Sequence, residues 1–318
     1  MKKRYLLIVL ILLSITSLFI GVNDITLMDI VSYNKEKVDI FFISRVPRLV
    51  SILLAGLGMS ICGLIMQQVS RNKFVSPTTG ATIDSAQLGL VFAMLIIPST
   101  GLVGKMIASF AFALAGTFIF MKILKSLKFK NAVFVPLIGI MFGNIIGSAT
   151  TFIAYKYNLM QDITAWMQGN FSMIIKGNYE MLYITIPCII MAYIYANKFT
   201  IAGMGEDFAT NLGLNYNKVV NLGLMIVAIV TVCVVITAGS IPFIGLIVPN
   251  IVSMYKGDNL KNSIWHTGLF GAIFVLVCDI FSRTVIYPYE IPIGLTVGAI
   301  GSIIFLFMIL RRGNHATA

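Results

Sequence analysis

The residues in this chain that could do chemistry are few and scattered. Asp279 and Arg283 stand four apart in an otherwise apolar run, the spacing at which an acid and a base meet on one helix face. Asp84 opens another apolar run. An acid at membrane depth is a candidate for function, as a proton carrier for instance. Asp279 has a base in reach and reads first as half of a structural pair. Glu206 and Asp207 open a short polar segment, GMGEDFATNLGLN, at Gly203–Asn215. Cys62, Cys188, Cys233 and Cys278 lie singly in apolar runs and read as reduced, small core residues. His266 and His315 offer no metal-ligand set. The sequence holds no G-x-x-x-x-G-K-[ST] loop and no H-E-x-x-H. No Ser/His/Asp set or pair of catalytic carboxylates stands out either. The expectation is a chain with no catalytic residue, no metal and no cofactor of its own, whose energy source lies elsewhere.

The elements that carry these residues follow from composition. Of 318 residues, 58% are hydrophobic and 11% charged, with a mean hydropathy of +0.94. Soluble domains carry about 25% charged residues. Apolar runs near 20 residues long match a bilayer-crossing helix. The fold class is therefore all-α polytopic membrane protein, one transmembrane domain over residues 1–318. The formal charge of +11 does not point to nucleic acid, because the basic residues cluster at the ends of apolar runs, where they set orientation. Ten spans are expected, near 5–20, 49–69, 81–97, 105–121, 132–154, 181–196, 219–237, 242–254, 264–286 and 291–310. The opening MKKRYLLIVLILLSITSLFIG has the basic start and apolar run of a signal peptide, but no clear small-x-small site follows, so it reads as an uncleaved first helix. Most of the 23 Lys and Arg fall on one side if both termini are cytoplasmic. The eighth span is short and holds Pro242 and Pro249, but it must cross to keep Arg311 and Arg312 inside. The segments 21–47 and 155–180 then lie outside, each long enough for a short surface helix, with Trp166 expected at the membrane interface.

Two spans carry bare faces. Gly139, Gly143 and Gly147 repeat every four residues in the fifth, beside Asn144, and Gly294, Gly298 and Ser302 repeat the pattern in the tenth. Small residues at this spacing let another backbone approach closely. They read either as ordinary packing within the chain or as a subunit seam or pathway wall. In the Gly203–Asn215 segment, Glu206 and Asp207 suit the first turn of a helix, where negative charge complements the dipole. Gly213 suits the C′ position that ends it. Phe208, Ala209 and Leu212 are spaced to share an apolar face.

Four segments together resemble one family. RVPRLVSILLAGLGMSICGLIMQQVSRNKFVSP (Arg45–Pro77) is similar to an R-x-P-R-L…G-x-x-x-Q…R-N-x-x-x-x-P signature. MGEDFATNLG (Met204–Gly213) is similar to G-E-x-A-x-x-L-G, with Asp207 as one extra residue. GSIPFIGLIVPNIV (Gly239–Val252) resembles G-x-I-x-F-I-G-L-x-x-P-H-I, and DIFSRTVIYPYEIPIGLTVGAIG (Asp279–Gly301) resembles D-x-x-x-R…E-L-P-x-G-x-x-x-x-x-x-G. The family they resemble is the FecCD or BtuC-like permeases of ABC importers for iron–siderophores, haem and vitamin B12. Asn250, Ser253 and Ser302 depart from the family's usual His, Arg and Pro, which loosens the carry-over of cytoplasmic contacts from the eighth span.

The resemblance implies a ten-helix subunit in the bacterial cell membrane. Its partners would be a second permease, homologous or identical, a cytoplasmic ATPase dimer and an extracytoplasmic binding lipoprotein. ATP and magnesium would stay on the ATPase, and iron within its chelator. It assigns ATPase coupling to Gly205, Glu206, Asp207, Ala209, Leu212 and Gly213. It assigns docking of the binding protein to Arg45, Arg48 and Arg283, against headgroup anchoring and the Asp279 pair as the plainer reading. The function implied is a permease that moves a ferric siderophore inward by alternating access. Haem or cobalamin import is the alternative within the family. An ion-coupled secondary transporter using Asp84 or Asp279 is the alternative outside it.

Overall fold

The computed structural model describes residues 3–21, 28–29, 35–79, 81–99, 101–126 and 134–316. Among the described residues there is no strand, only an isolated parallel bridge between Gln168 and Ser240. The helices are α1 (Lys3–Phe19), α2 (Lys35–Ile40), α3 (Val46–Val69), α4 (Thr82–Ile96), α5 (Leu102–Ser126), α6 (Phe134–Lys156), α7 (Met160–Met167), α8 (Thr185–Ile194), α9 (Ala196–Met204), α10 (Glu206–Asn211), α11 (Tyr216–Ala238), α12 (Ile244–Lys256), α13 (Leu260–Thr284) and α14 (Ile293–Ala316). A π-helical turn, Phe41–Arg45, joins α2 to α3.

Each of the ten expected spans falls on a helix. Among the described residues, five helical stretches are long and apolar enough to cross a membrane, or six if a bent pair counts as one; α4, α12 and the apolar part of α14 are shorter. The bent pair corrects the sixth span. A 3-10 turn and α8, covering Glu180–Ile194, meet α9 at 60°, so the span expected to end at Ala196 turns there and continues to Met204. The helix of the eighth span, α12, starts at Ile244, leaving Pro242 outside, because Phe243 takes a left-handed conformation (φ 66°) before the first turn. Of the two expected surface helices, α7 is present, and α2 lies in the other segment, part of which falls outside the described residues. Trp166 is half-buried, and its indole N–H donates to the Ile236 carbonyl at 3.2 Å, which ties α7 to α11.

Helix α3 is the central post. It packs against α11, α12 and α13, and Ile52, Ala55, Met59 and Ile65 on it are fully buried with Val230 and Cys233 of α11 and Val275 and Leu276 of α13. Glycine sets how close these helices come. A Cβ on Gly63 would lie 1.9 Å from the Gly245 carbonyl oxygen, so α3 and α12 touch backbone to backbone. Pro249 sits inside α12 and cannot donate to the Gly245 carbonyl four residues back. Gln67 of α3 turns its amide there, 3.4 Å from Gly245 O and 3.2 Å from Leu246 O. A neighbouring side chain thus satisfies backbone that the proline frees, which an apolar environment demands. The four cysteines are free thiols, three buried and Cys188 half-buried.

Candidate functional site

The two ends of α3 carry the two clusters of polar residues. At its N-terminal end Arg48 is 8% exposed. Its guanidinium donates to Asp279 Oδ1 at 2.8 and 3.3 Å and to Glu290 Oε2 and Oε1 at 2.8 and 3.1 Å. The expected i,i+4 pair is also formed: Arg283 Nη2 lies 2.6 Å from Asp279 Oδ2. Arg283 further donates to the carbonyls of Ser17 and Ile20 at 3.0 and 2.8 Å, which ties α1 to α13. Arg45, half-buried, donates to the Ile20 carbonyl. Ser172, in the segment after α7, donates to Glu290.

Asp279 is fully buried, so this cluster is costly to break. Removing one partner of a buried pair strands the other charge, at roughly 3–5 kcal/mol. Burial favours the neutral form of the Glu290 carboxyl, but the Arg48 charge, the hydrogen bonds from Ser172 and Arg48, and Arg283 together hold it below the usual carboxylate range. Arg48 and Arg283 are therefore buried charges: Arg48 gives its donors to Asp279 and Glu290, and Arg283 gives its Nη donors to α1 and Asp279 while its Nε has no partner. Arg45 is the most accessible of the three.

Next to this cluster three backbone segments meet. The Ser240 N–H donates to the Met167 carbonyl at 2.9 Å, the Asn170 N–H to Ala238 at 2.8 Å, and the Gly294 N–H to Gly169 at 3.0 Å. The start of α14 is thus bonded to the end of α7 and to the turn after α11. Gly298 faces Pro242 of that turn, and Ser302 bonds its own helix at Ala299 O, 2.9 Å. A cavity of about 600 Å³ opens beside it, lined in part by Lys105, Asp162, Trp166, Asn170 and Thr237.

The bare face of α6 is occupied within the chain. A Cβ on Gly143 would lie 2.5 Å from Asp84 Oδ2, and one on Gly147 3.2 Å from Oδ1. Asp84 of α4 lies along that face, and Gly139 is buried. Asn144 points the other way and is exposed, in company with Met141, Ile145 and Phe152.

At the other end of α3, helix α9 stops at Gly205, whose φ of 129° only glycine adopts readily; the Arg71 guanidinium lies over it. Helix α10 follows with Glu206 and Asp207 in its first turn. It ends as a Schellman motif: the Gly213 N–H donates to Thr210 O and the Leu214 N–H to Ala209 O, both at 2.9 Å, with Gly213 at φ 76°. The expected shared face divides. Ala209 is fully buried, while Phe208 and Leu212, one turn apart, are 49% and 59% exposed. Ala209 turns inward because α10 packs against α9 and α11. Beside it, Lys73 pairs with Asp258 at 2.9 Å, Gln68 donates to the Asp258 carbonyl at 2.9 Å, and Asn250 donates to Lys73 O at 2.6 Å.

Sequence reasoning gave Glu290, Ser172, Gly169 and Gln67 no role. One signal could have found Glu290: three arginines were set against a single acid, Asp279, while another acid stood in the last quoted motif.

The model of the FecCD transport family matches residues 6–311. The chain belongs to that family. Among FecCD-family relatives it is 58% identical to the petrobactin import system permease protein YclN of Bacillus subtilis, over 99% of this chain and 100% of YclN. It is 40% identical to the petrobactin import system permease protein FatD of Bacillus anthracis, over 96% and 90%. It is 38% identical to the ferric-anguibactin transport system permease protein FatD of Vibrio anguillarum, over 93% and 94%. A solved metal-chelate type ABC transporter in an inward-facing conformation superposes with a TM-score of 0.85 at 22% identity, over 97% of this chain and 98% of that one. This FecCD-family chain is thus a multi-pass membrane protein with the BtuC-like ABC importer permease fold.

Proposed function

We propose that the chain is the transmembrane permease subunit of an ABC importer for a ferric siderophore. The whole-length likeness to YclN and to both FatD permeases, named for petrobactin and ferric-anguibactin import, carries this reading. Both termini are cytoplasmic, so the Arg48 end of α3 faces outward and the Gly205 end faces the cytoplasm, in keeping with the bias of Lys and Arg along the chain.

The chain performs no covalent step. The ferric chelate, substrate throughout, is delivered by an extracytoplasmic binding lipoprotein to the Arg48 end, where Arg45 and the net positive cluster meet acidic side chains on it. Exposed opposite charges set register and encounter rate more than affinity. The chelate passes between this chain and a second permease. The exposed faces of α6, with Asn144, and of α14 line that seam. A cytoplasmic ATPase dimer receives α10 in a groove, and Phe208 and Leu212 are the apolar contacts. ATP turnover there biases a two-state packing of the helices.

The test is uptake of iron-55 as ferric petrobactin by cells lacking the gene and by the same cells complemented. Loss on deletion, recovery on complementation, and persistence of uptake under a protonophore while ATP is held constant are expected. Normal import of petrobactin and of every other ferric siderophore tried by the deletion strain would overturn the iron reading. Loss of haem or cobalamin uptake instead would move the substrate within the family.

A further inference from the structure

The two acids of the Arg48 cluster are not equivalent. Asp279 is fully buried on α13, held by Arg48 and by Arg283 on its own helix, and its departure would strand two buried cations. Glu290 lies in the connection before α14, its side chain 22% exposed, so water can take it up when it leaves. It holds Arg48 through two hydrogen bonds and accepts one from Ser172. A few residues on, the Gly294 N–H is bonded to Gly169. Glu290 therefore fastens the start of α14 and the segment carrying Ser172 to the head of α3.

We propose that Glu290 is an internal stand-in for a docking carboxylate: an acidic side chain of the binding protein takes its place on Arg48 and frees the start of α14. This deepens the reading above and rests on its docking step. Exchanging one carboxylate for another at a guanidinium preserves the number of charge-assisted hydrogen bonds, so the switch needs little net energy. The freed element is not peripheral. Gly294 and Gly298 lie against the turn after α11, so loosening the start of α14 loosens the point where three segments join. Glu290 is held ionised by Arg48 and Ser172 against the pull of burial, so the exchange does not wait on protonation near neutral pH. Glu290 acts through Arg48 and is a positioning residue.

The experiment uses the complete transporter, this chain with its permease and ATPase partners, in lipid nanodiscs. ATP hydrolysis without binding protein, and the affinity for binding protein, are measured for wild type, Glu290→Gln and Ser172→Ala. Glu290→Gln should raise the unstimulated rate several-fold and tighten binding several-fold, because the internal competitor is gone. Ser172→Ala should move both the same way by less, and it decides the matter if Glu290→Gln does not assemble. Wild-type values for both quantities in the assembled variants would overturn the proposal. Arg45→Ala separates the two layers. If Arg45→Ala and Glu290→Gln both leave affinity unchanged, the docking reading falls and this proposal with it. If Arg45→Ala weakens binding while Glu290→Gln and Ser172→Ala change nothing, the stand-in alone falls.

Discussion

Arg48 and Glu206 both lie near the end of a helix, and the protein treats them in opposite ways. Arg48 is 8% exposed and gives four hydrogen bonds to two carboxylates. Glu206 is exposed at the start of a six-residue helix, next to Phe208, an apolar residue that is itself exposed. At the Arg48 end, charge is enclosed and shared among α1, α3, α13 and the connection to α14. At the Gly205 end, charge and apolar surface are displayed on a helix closed by glycine at both ends. An enclosed cluster is informative about the fold, and a displayed one about a partner. The same reasoning explains why Arg48 and Arg283 fit poorly as free docking charges, and why α10 fits well as a contact for a missing subunit.

The comparison can be broken from either side. The largest effect is expected at Arg48. Arg48→Ala leaves Asp279 and Glu290 without their shared cation and should cost about 3–5 kcal/mol, read as a sharp fall in folded yield and unfolding temperature in detergent. Retained stability would mean that the cluster is not structural. Next comes the opposite end. Phe208→Ala with Leu212→Ala removes exposed side chains, so stability should stay within about 0.5 kcal/mol while transport-coupled ATP hydrolysis falls at least several-fold. Glu206→Lys should act the same way, and Gly213→Val should also lower coupled hydrolysis, at a stability cost of about 1–3 kcal/mol from straining a left-handed position. Coupled hydrolysis at wild-type level in all of these would remove the coupling role.

Smaller still is a pH effect. The folded-state pKa of Glu290 lies below its ordinary value. Its contribution is thus present above the ordinary carboxylate pKa and is lost as pH falls through the depressed one. Stability of the wild type should decline on the acid side more steeply than that of Glu290→Gln, with the two curves running parallel at neutral pH. The smallest effect is expected at Lys73, whose partner Asp258 is well exposed. Lys73→Ala should change stability by no more than about 1 kcal/mol, in contrast to Arg48→Ala.

Local pattern made much of this legible. Apolar runs located the helices of the ten expected spans, and residue chemistry located the cap at Gly213 and the Asp279–Arg283 pair, because helix period and capping are properties of neighbouring residues. What escaped depends on contacts between distant segments. Arg48 meets Asp279, 231 positions further along the chain, and nothing in the local sequence encodes that meeting. The 60° bend before α9 was hidden because the apolar pattern runs through Tyr195 without a proline or glycine. The spacing of Gly143 and Gly147 announced a close approach but not its occupant, Asp84. Ala209 turned inward because α9 and α11 receive α10 on that side, which spacing alone does not reveal.

The most direct measurement is ATP-driven uptake of iron-55 siderophore into proteoliposomes holding this chain with its permease, ATPase and binding-protein partners. The account predicts uptake that requires ATP and the binding protein, and that falls with Phe208→Ala/Leu212→Ala while the complex stays assembled. Uptake driven by an ion gradient without ATP, or undiminished in that variant, would contradict it.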